Sequence, residues 1–112
     1  MKAKDWIVGG YLGEHDRGWD RITSPLIKRL AELNGHILQI KEKYGTLRFY
    51  YCWDNDHLVP DEDCDEFQQM VDDAERLSSK TCENCGEPGR LRGSTWVKTL
   101  CDGHADEFNF VE

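Results

Sequence analysis

No stretch of this chain approaches the roughly 20 consecutive apolar residues that a membrane span requires, which sets aside a helical membrane protein. No secretory leader is expected either. Met1-Lys2-Ala3-Lys4 is basic, but Trp6-Ile7-Val8 is too short an apolar core before glycines and charged residues take over. The expectation is a soluble, cytoplasmic protein whose thiols stay reduced. Lysine and arginine are absent from Asp54 to Glu75, a stretch that holds ten acidic residues. With a net charge of -8 and a pI near 4.9, the chain as a whole would be repelled by nucleic acid, whose binding rests on cations that neutralise phosphates. There is no internal repeat and no low-complexity tract. A catalytic constellation is also lacking: the His-Asn-His set of a metal nuclease is not there, and His15, His36 and His57 stand far apart in sequence.

What the chain does contain is a metal-ligand pattern. Cys82-Glu83-Asn84-Cys85 and Cys101-Asp102-Gly103-His104 give C-x2-C and C-x2-H separated by fifteen residues, the spacing of a four-ligand zinc site. Each pair spans one edge of a tetrahedron, so two tight turns supply all four ligands. Gly86 suits the first turn, and Glu87-Pro88-Gly89 reads as a second. In a reducing compartment metal explains paired Cys and His better than a disulfide does. Four good ligands leave no open position for water, so the expected site is structural and closed. Three thiolates and a neutral imidazole leave it net negative, and Arg90, Arg92 and Lys98 are placed to offset that charge. Arg90-Leu91-Arg92 and Trp96-Val97-Lys98-Thr99-Leu100 read as two short strands joined by Gly93-Ser94-Thr95. A short helix is expected from Cys101 to Phe108 or Phe110, with Asp102 in its first turn. That order is treble-clef-like, and a zinc-ribbon-like module with a second knuckle in place of the helix is the alternative.

The 112 residues match one domain, or a small module with a zinc appendage. Mean hydropathy is low, at -0.72, yet four Trp, four Tyr and four Phe supply bulk for a core. Residues 1–18 read as irregular, with Trp6-Ile7-Val8 a short strand or anchor. Ser24 as N-cap and Pro25 at the first helical position predict a helix start. Leu26, Ile27, Leu30 and Leu33 form its apolar face, and Gly35 after Asn34 is a left-handed stop. Ile37–Ile40 and Leu47–Trp53 predict a hairpin turning at Gly45, with Leu47, Phe49 and Tyr51 on one face and Arg48, Tyr50 and Cys52 on the other. An acidic linker from Asp54 to Asp63 follows. A second helix from about Cys64 to Ser79, capped by Asp63 or Asp65, places Phe67, Met70, Val71, Ala74 and Leu77 on one stripe. The fold class is α+β: a helix–hairpin–helix core over residues 1–80 and a zinc module over 81–112 packed on it as one folding unit.

The run from Gln39 to Tyr50 (Gln-Ile-Lys-Glu-Lys-Tyr-Gly-Thr-Leu-Arg-Phe-Tyr) and the tail from Thr81 to Ala105, with Trp96 and Thr99-Leu100-Cys101-Asp102 inside it, carry a resemblance. Together with Trp19 and Ala74-Glu75-Arg76, they make the chain similar to a family of small bacterial, phage and prophage proteins of uncharacterised activity, which end in a zinc-finger-like C-x2-C…C-x2-H motif. The resemblance covers roughly residues 18–105. It implies a mobile-element context and a zinc site on Cys82, Cys85, Cys101 and His104. The long acidic linker departs from the family pattern and suggests a specialised surface.

The functional expectation is a non-enzymatic zinc-binding protein that acts by binding another protein. In a phage setting it would be an inhibitor of a host defence system (anti-CRISPR or similar) that offers carboxylates where a nuclease expects phosphates. The candidate partner-binding residues are Asp61, Glu62, Asp63, Asp65, Glu66, Asp72 and Asp73, facing a basic protein partner. The alternative is a nucleic-acid-binding or transcription-related module, with Arg90, Arg92 and Lys98 on phosphates and Trp96 stacking on a base or packing in the core. A metal nuclease of the His-Asn-His type is third. Cys52, Asp56, His57 and Cys64 have irregular spacing for a second metal site, and Cys52 and Cys64 are expected to be free thiols.

Overall fold

A computed structural model of the chain describes residues 18–54, 58–93 and 97–107. The anchor expected at Trp6-Ile7-Val8 lies outside them, as do Asp56, His57 and Trp96. The elements run α1 (Asp20–Glu32), β1 (His36–Lys43), β2 (Thr46–Cys52), α2 (Asp61–Ser78), β3 (Arg90–Arg92), β4 (Lys98–Leu100) and α3 (Asp102–Glu107). The fold is a small α+β arrangement, with β1–β2 and β3–β4 as two separate antiparallel pairs.

α1 begins at Asp20, so Ser24 and Pro25 lie inside it. The apolar face explains the earlier start. Trp19, Ile22, Leu26, Ile27 and Leu30 are all buried, and burial of each such side chain is worth about 1.5–3 kcal/mol. Pro25 leaves the Arg21 carbonyl without its helical donor, which is tolerable because both residues are exposed. The Ser24 hydroxyl donates to Asp20 O at 2.6 Å instead of capping. At the other end the left-handed residue is Asn34, with φ 58. Gly35 is needed for room, because a Cβ there would run into the Leu30 side chain.

The hairpin is longer than expected and pivots on Tyr44 (φ 54) and Gly45 (φ 79). Positive φ at both positions is the type I′ turn that matches strand twist. Register pairs Lys43 with Thr46, Lys41 with Arg48 and Ile40 with Phe49, and a bulge at Leu38 shifts it between Ile37 and Gln39. Leu47 and Phe49 face the core, while Tyr50 and Cys52 face solvent, as alternation predicts.

α2 starts at Asp61 with Pro60 at the N-cap and no side-chain cap, so neither Asp63 nor Asp65 caps it. Pro60 O instead accepts from the N–H groups of Asp63 and Cys64. Phe67, Val71 and Ala74 are buried, but Leu77 is 53% exposed. The stripe ends on Ser78, whose Oγ accepts the Leu47 N–H at 2.9 Å. Phe67 then closes an aromatic cluster with Phe49, Tyr51 and Trp53, its ring 4.8 Å from that of Tyr51 at 83°. Arg29 of α1 meets Asp63 of α2 at 3.6 Å.

Candidate metal centre

The C-terminal module is built on a turn. Gly86 N–H donates to Cys82 O at 2.9 Å, and Gly86 takes φ 84, which glycine adopts without strain. The turn folds Cys82 and Cys85 toward one point. The β3–β4 pair then carries the chain back, with Arg90 opposite Leu100 and Arg92 opposite Lys98. Cys101 follows directly, and the first turn of α3 presents His104. Ala105 N–H donates to Cys101 O at 2.9 Å and locks that geometry. Cys82, Leu100 and Ala105 form a second small buried cluster, with Cys101 packed against it.

The ligand atoms of Cys82, Cys85, Cys101 and His104 all lie within 4.8 Å of one another. Cys85 Sγ is 3.8 Å from Cys101 Sγ. His104 Nδ1 is 3.6 Å from Cys82 Sγ and 3.2 Å from Cys101 Sγ. A tetrahedron with metal–sulfur bonds of about 2.3 Å has edges of roughly 3.8 Å, so the four residues fit a small tetrahedral ion. Without a cation the thiols are pushed in opposite directions. Burial alone would raise Cys82, but the amides of Cys101, Cys85 and Asn84 aimed at its sulfur bring it down to about 7. Burial and the neighbouring sulfurs of Cys82 and Cys101 push Cys85 up to about 11. A cation bound there would remove that conflict by holding all the sulfurs as thiolates. Among the described residues this is the only Cys/His/carboxylate cluster that could hold a metal ion. Cys52 is exposed and Cys64 half-buried, both free.

The residue that sequence reasoning missed is Glu83. It lies between two ligands, 1% exposed. One carboxylate oxygen accepts from Lys98 Nζ at 2.6 Å and the other from Thr99 N–H at 3.2 Å. Burial pushes its carboxyl up, and the Lys98 ammonium and the Thr99 amide pull it back. Arg92 is spent in the same way. It is 7% exposed, and its guanidinium donates to Leu100 O at 3.1 Å and to Asp102 at 2.6 Å. Arg92, and behind it Arg90, hold the Asp102 carboxyl below its usual range. The cations expected to offset the cluster's charge are thus engaged within the module. The only sequence signal for Glu83 was its place inside a turn that must fold back on its own strand.

Among the described residues, hydrogen bonds from sequence-distant partners tie the module to the core at three places. Trp19 Nε1–H donates to Thr81 O at 2.9 Å. Gly18 N–H donates to Glu83 O at 2.9 Å, and a Cβ on Gly18 would collide with Cys82 O and Gly86 N. Thr99 Oγ1–H donates to Gly45 O at 2.5 Å, so the hairpin tip rests on β4.

All seven candidate partner residues lie on α2; none is in the preceding loop. Asp61, Glu62, Asp65, Glu66 and Asp73 are exposed, and Asp63 and Asp72 are half-buried. Asp63 pairs with Arg29, Asp73 with Arg76, and Asp72 accepts from Gln68 at 3.0 Å. No helix among the described residues is long and apolar enough to cross a membrane. Comparison of the chain with protein-family models, curated proteins and solved structures returned no match.

Proposed function

We propose that the protein is a cytoplasmic, non-enzymatic zinc protein that works by binding another protein, with α2 as its contact surface. Zinc is the metal that a Cys3His set of tetrahedral shape favours. The order of turn, hairpin and ligand-bearing helix supports a treble-clef-like module over a zinc ribbon. Four protein ligands close the coordination sphere, which favours a structural role.

The observation that carries the reading is where the charges lie. Carboxylates cover the exposed side of α2 from Asp61 to Asp73, whereas Arg92 and Lys98 of the module are committed to Asp102 and Glu83. That distribution favours a basic protein partner and weighs against phosphate binding by β3 and β4. Together with the resemblance to phage and prophage proteins, it supports an inhibitor of a host defence system whose target surface normally receives nucleic acid. Electrostatic steering of such a partner makes association fast and salt-sensitive. The test measures association rate against salt for the partner recovered by pull-down, and binding of DNA and RNA under the same conditions. A steep fall in the partner's rate with salt is expected. A salt-independent rate, or nucleic acid binding tighter than the partner's, would overturn the reading.

A further inference from the structure

A two-stranded sheet has two free edges, and here they are treated differently. α2 covers the outer edge of β2: Ser78 Oγ takes the Leu47 N–H, and the Tyr51 hydroxyl reaches Gln68 at 2.5 Å. Among the described residues β2 is the only strand that pairs with β1. The type I′ turn makes Lys43 and Thr46 the first hydrogen-bonded pair, and alternation then makes Lys41 and Arg48 the next. The peptide groups of Glu42 and Ile40 therefore point away from β2. Leu47, the partner of Glu42 in register, shows the same parity by pointing its N–H outward to Ser78. No hydrogen bond outside the hairpin reaches the Ile40 or Glu42 backbone from any described residue. Such an edge is a template for another strand.

The outer face beside this edge is cationic. Lys41 and Lys43 stand two residues apart on β1, with Arg48 across from Lys41, Thr46 across from Lys43, and Tyr50 opposite Gln39. Lys41 Nζ lies 5.6 Å from the Tyr50 ring centre and Lys43 Nζ 5.7 Å from that of Tyr44, so both amines are held along the ribbon. The only carboxylate on the hairpin, Glu42, accepts the Gly45 N–H at 2.9 Å and caps the turn. The hairpin itself adds no acidic residue to this face; Asp72 and Glu75 of α2 line a pocket with Thr46 and Arg48 on its β2 side. Leu38, bulged out at the far end of β1, is 63% exposed.

We propose that the β1 edge accepts an extended segment of a partner protein as a third strand, with Asp or Glu beside Lys41 and Lys43 and apolar residues on the opposite face. Backbone pairing to Ile40 and Glu42 supplies affinity, and the lysines select the sequence. A second copy of this chain fits poorly, because symmetric pairing of two β1 strands would gather both sets of lysines on one face. The proposal rests on the reading of the protein as a binder of other proteins, but it uses a different face from the α2 carboxylates.

The probe is a labelled peptide of about eight residues alternating glutamate and valine, titrated by fluorescence anisotropy into full-length metal-loaded protein at low salt. Saturable binding is expected. N-methylation of one alternate set of peptide amides should weaken it at least about tenfold, and methylation of the other set by less than about twofold, because a strand pairs through one edge. Lys41→Glu with Lys43→Glu should weaken it at least about tenfold and transfer preference to the matching lysine–valine peptide; metal content checks that this variant is folded. Absence of saturable binding, or equal loss from both methylation patterns, would overturn the proposal. So would a concentration-dependent dimer with protected Ile40 and Glu42 amides, which gives the edge to a second copy. Oligonucleotide binding that the double variant loses would give the lysines to nucleic acid. If the peptide fails while partner association still falls with salt, the edge assignment falls alone.

Discussion

Replacing Trp19 removes a fully buried ring from the core and an indole N–H from Thr81 O. Trp19→Ala is expected to cost about 3–5 kcal/mol, read as a lower urea midpoint; Trp19→Phe keeps most of the ring and should lose less, leaving the Thr81 carbonyl short of a donor. At Glu83 the expectation follows from burial. Glu83→Ala strips Lys98 and the Thr99 amide of their acceptor, and breaking a buried pair costs about 3–5 kcal/mol. Circular dichroism melting of the metal-loaded variant tests this, and a midpoint unchanged from the parent would show that water replaces the carboxylate. The two spare thiols should also separate. Burial, then the carboxylates of Asp61, Asp65 and Asp63, push Cys64 up, so it is less often a thiolate at neutral pH and reacts slowly. Mass spectrometry after brief alkylation should find exposed Cys52 modified first, with the Cys64 rate still climbing above the ordinary thiol pKa of about 8.5.

At the scale of elements, Ser78 shows what a helix end can do beyond packing. Ser78→Ala leaves the Leu47 N–H of β2 facing α2 with no acceptor, a loss of about 1–3 kcal/mol, measurable by denaturation and by faster amide exchange at Leu47. The acidic turn of α2 gives a second expectation. Changing Asp61, Glu62, Asp63 and Glu66 to the matching amides removes three negative charges from the first turn of the helix, where each is worth about 0.3–1 kcal/mol, and weakens the Arg29–Asp63 contact. The variant should stay folded with a modestly lower midpoint and associate more slowly with a basic partner at low salt. An unchanged association rate would reduce the acidic surface to a solvated face. Periodicity alone revealed both long helices and the hairpin, because apolar spacing repeats locally. It misjudged ends wherever a distant contact decides them. Trp19 pulls the start of α1 ahead of Ser24-Pro25, a signal that capping rules outweighed when only neighbours were considered. Leu77 fits the stripe by spacing yet is exposed, and Ser78 takes the inner position. Left-handed backbone at Asn34 and the need for space at Gly35 are two separate demands that a sequence displays as one turn signal.

For the whole molecule, the ligand set was the most legible part, since Cys82, Cys85, Cys101 and His104 are set by spacing within two short segments. The network around it was not. Glu83, Lys98, Arg92 and Asp102 meet only once the hairpin and turn have closed, and Gly18, Trp19 and Gly45 join the module to the core across long separations. A chain this short buries only about two-thirds of its unfolded surface, so a bound ion worth on the order of 10 kcal/mol would dominate its stability. Cys85→Ser should therefore unfold the C-terminal module and, through Gly18 and Gly45, loosen the core. The most direct test is elemental analysis of freshly purified protein, before and after chelation, paired with circular dichroism. About one equivalent of zinc per chain, with structure lost on chelation and regained on zinc addition, is the expected result. Less than about half an equivalent with no uptake on addition, in a protein that melts alike with and without chelator, would contradict a zinc-held fold.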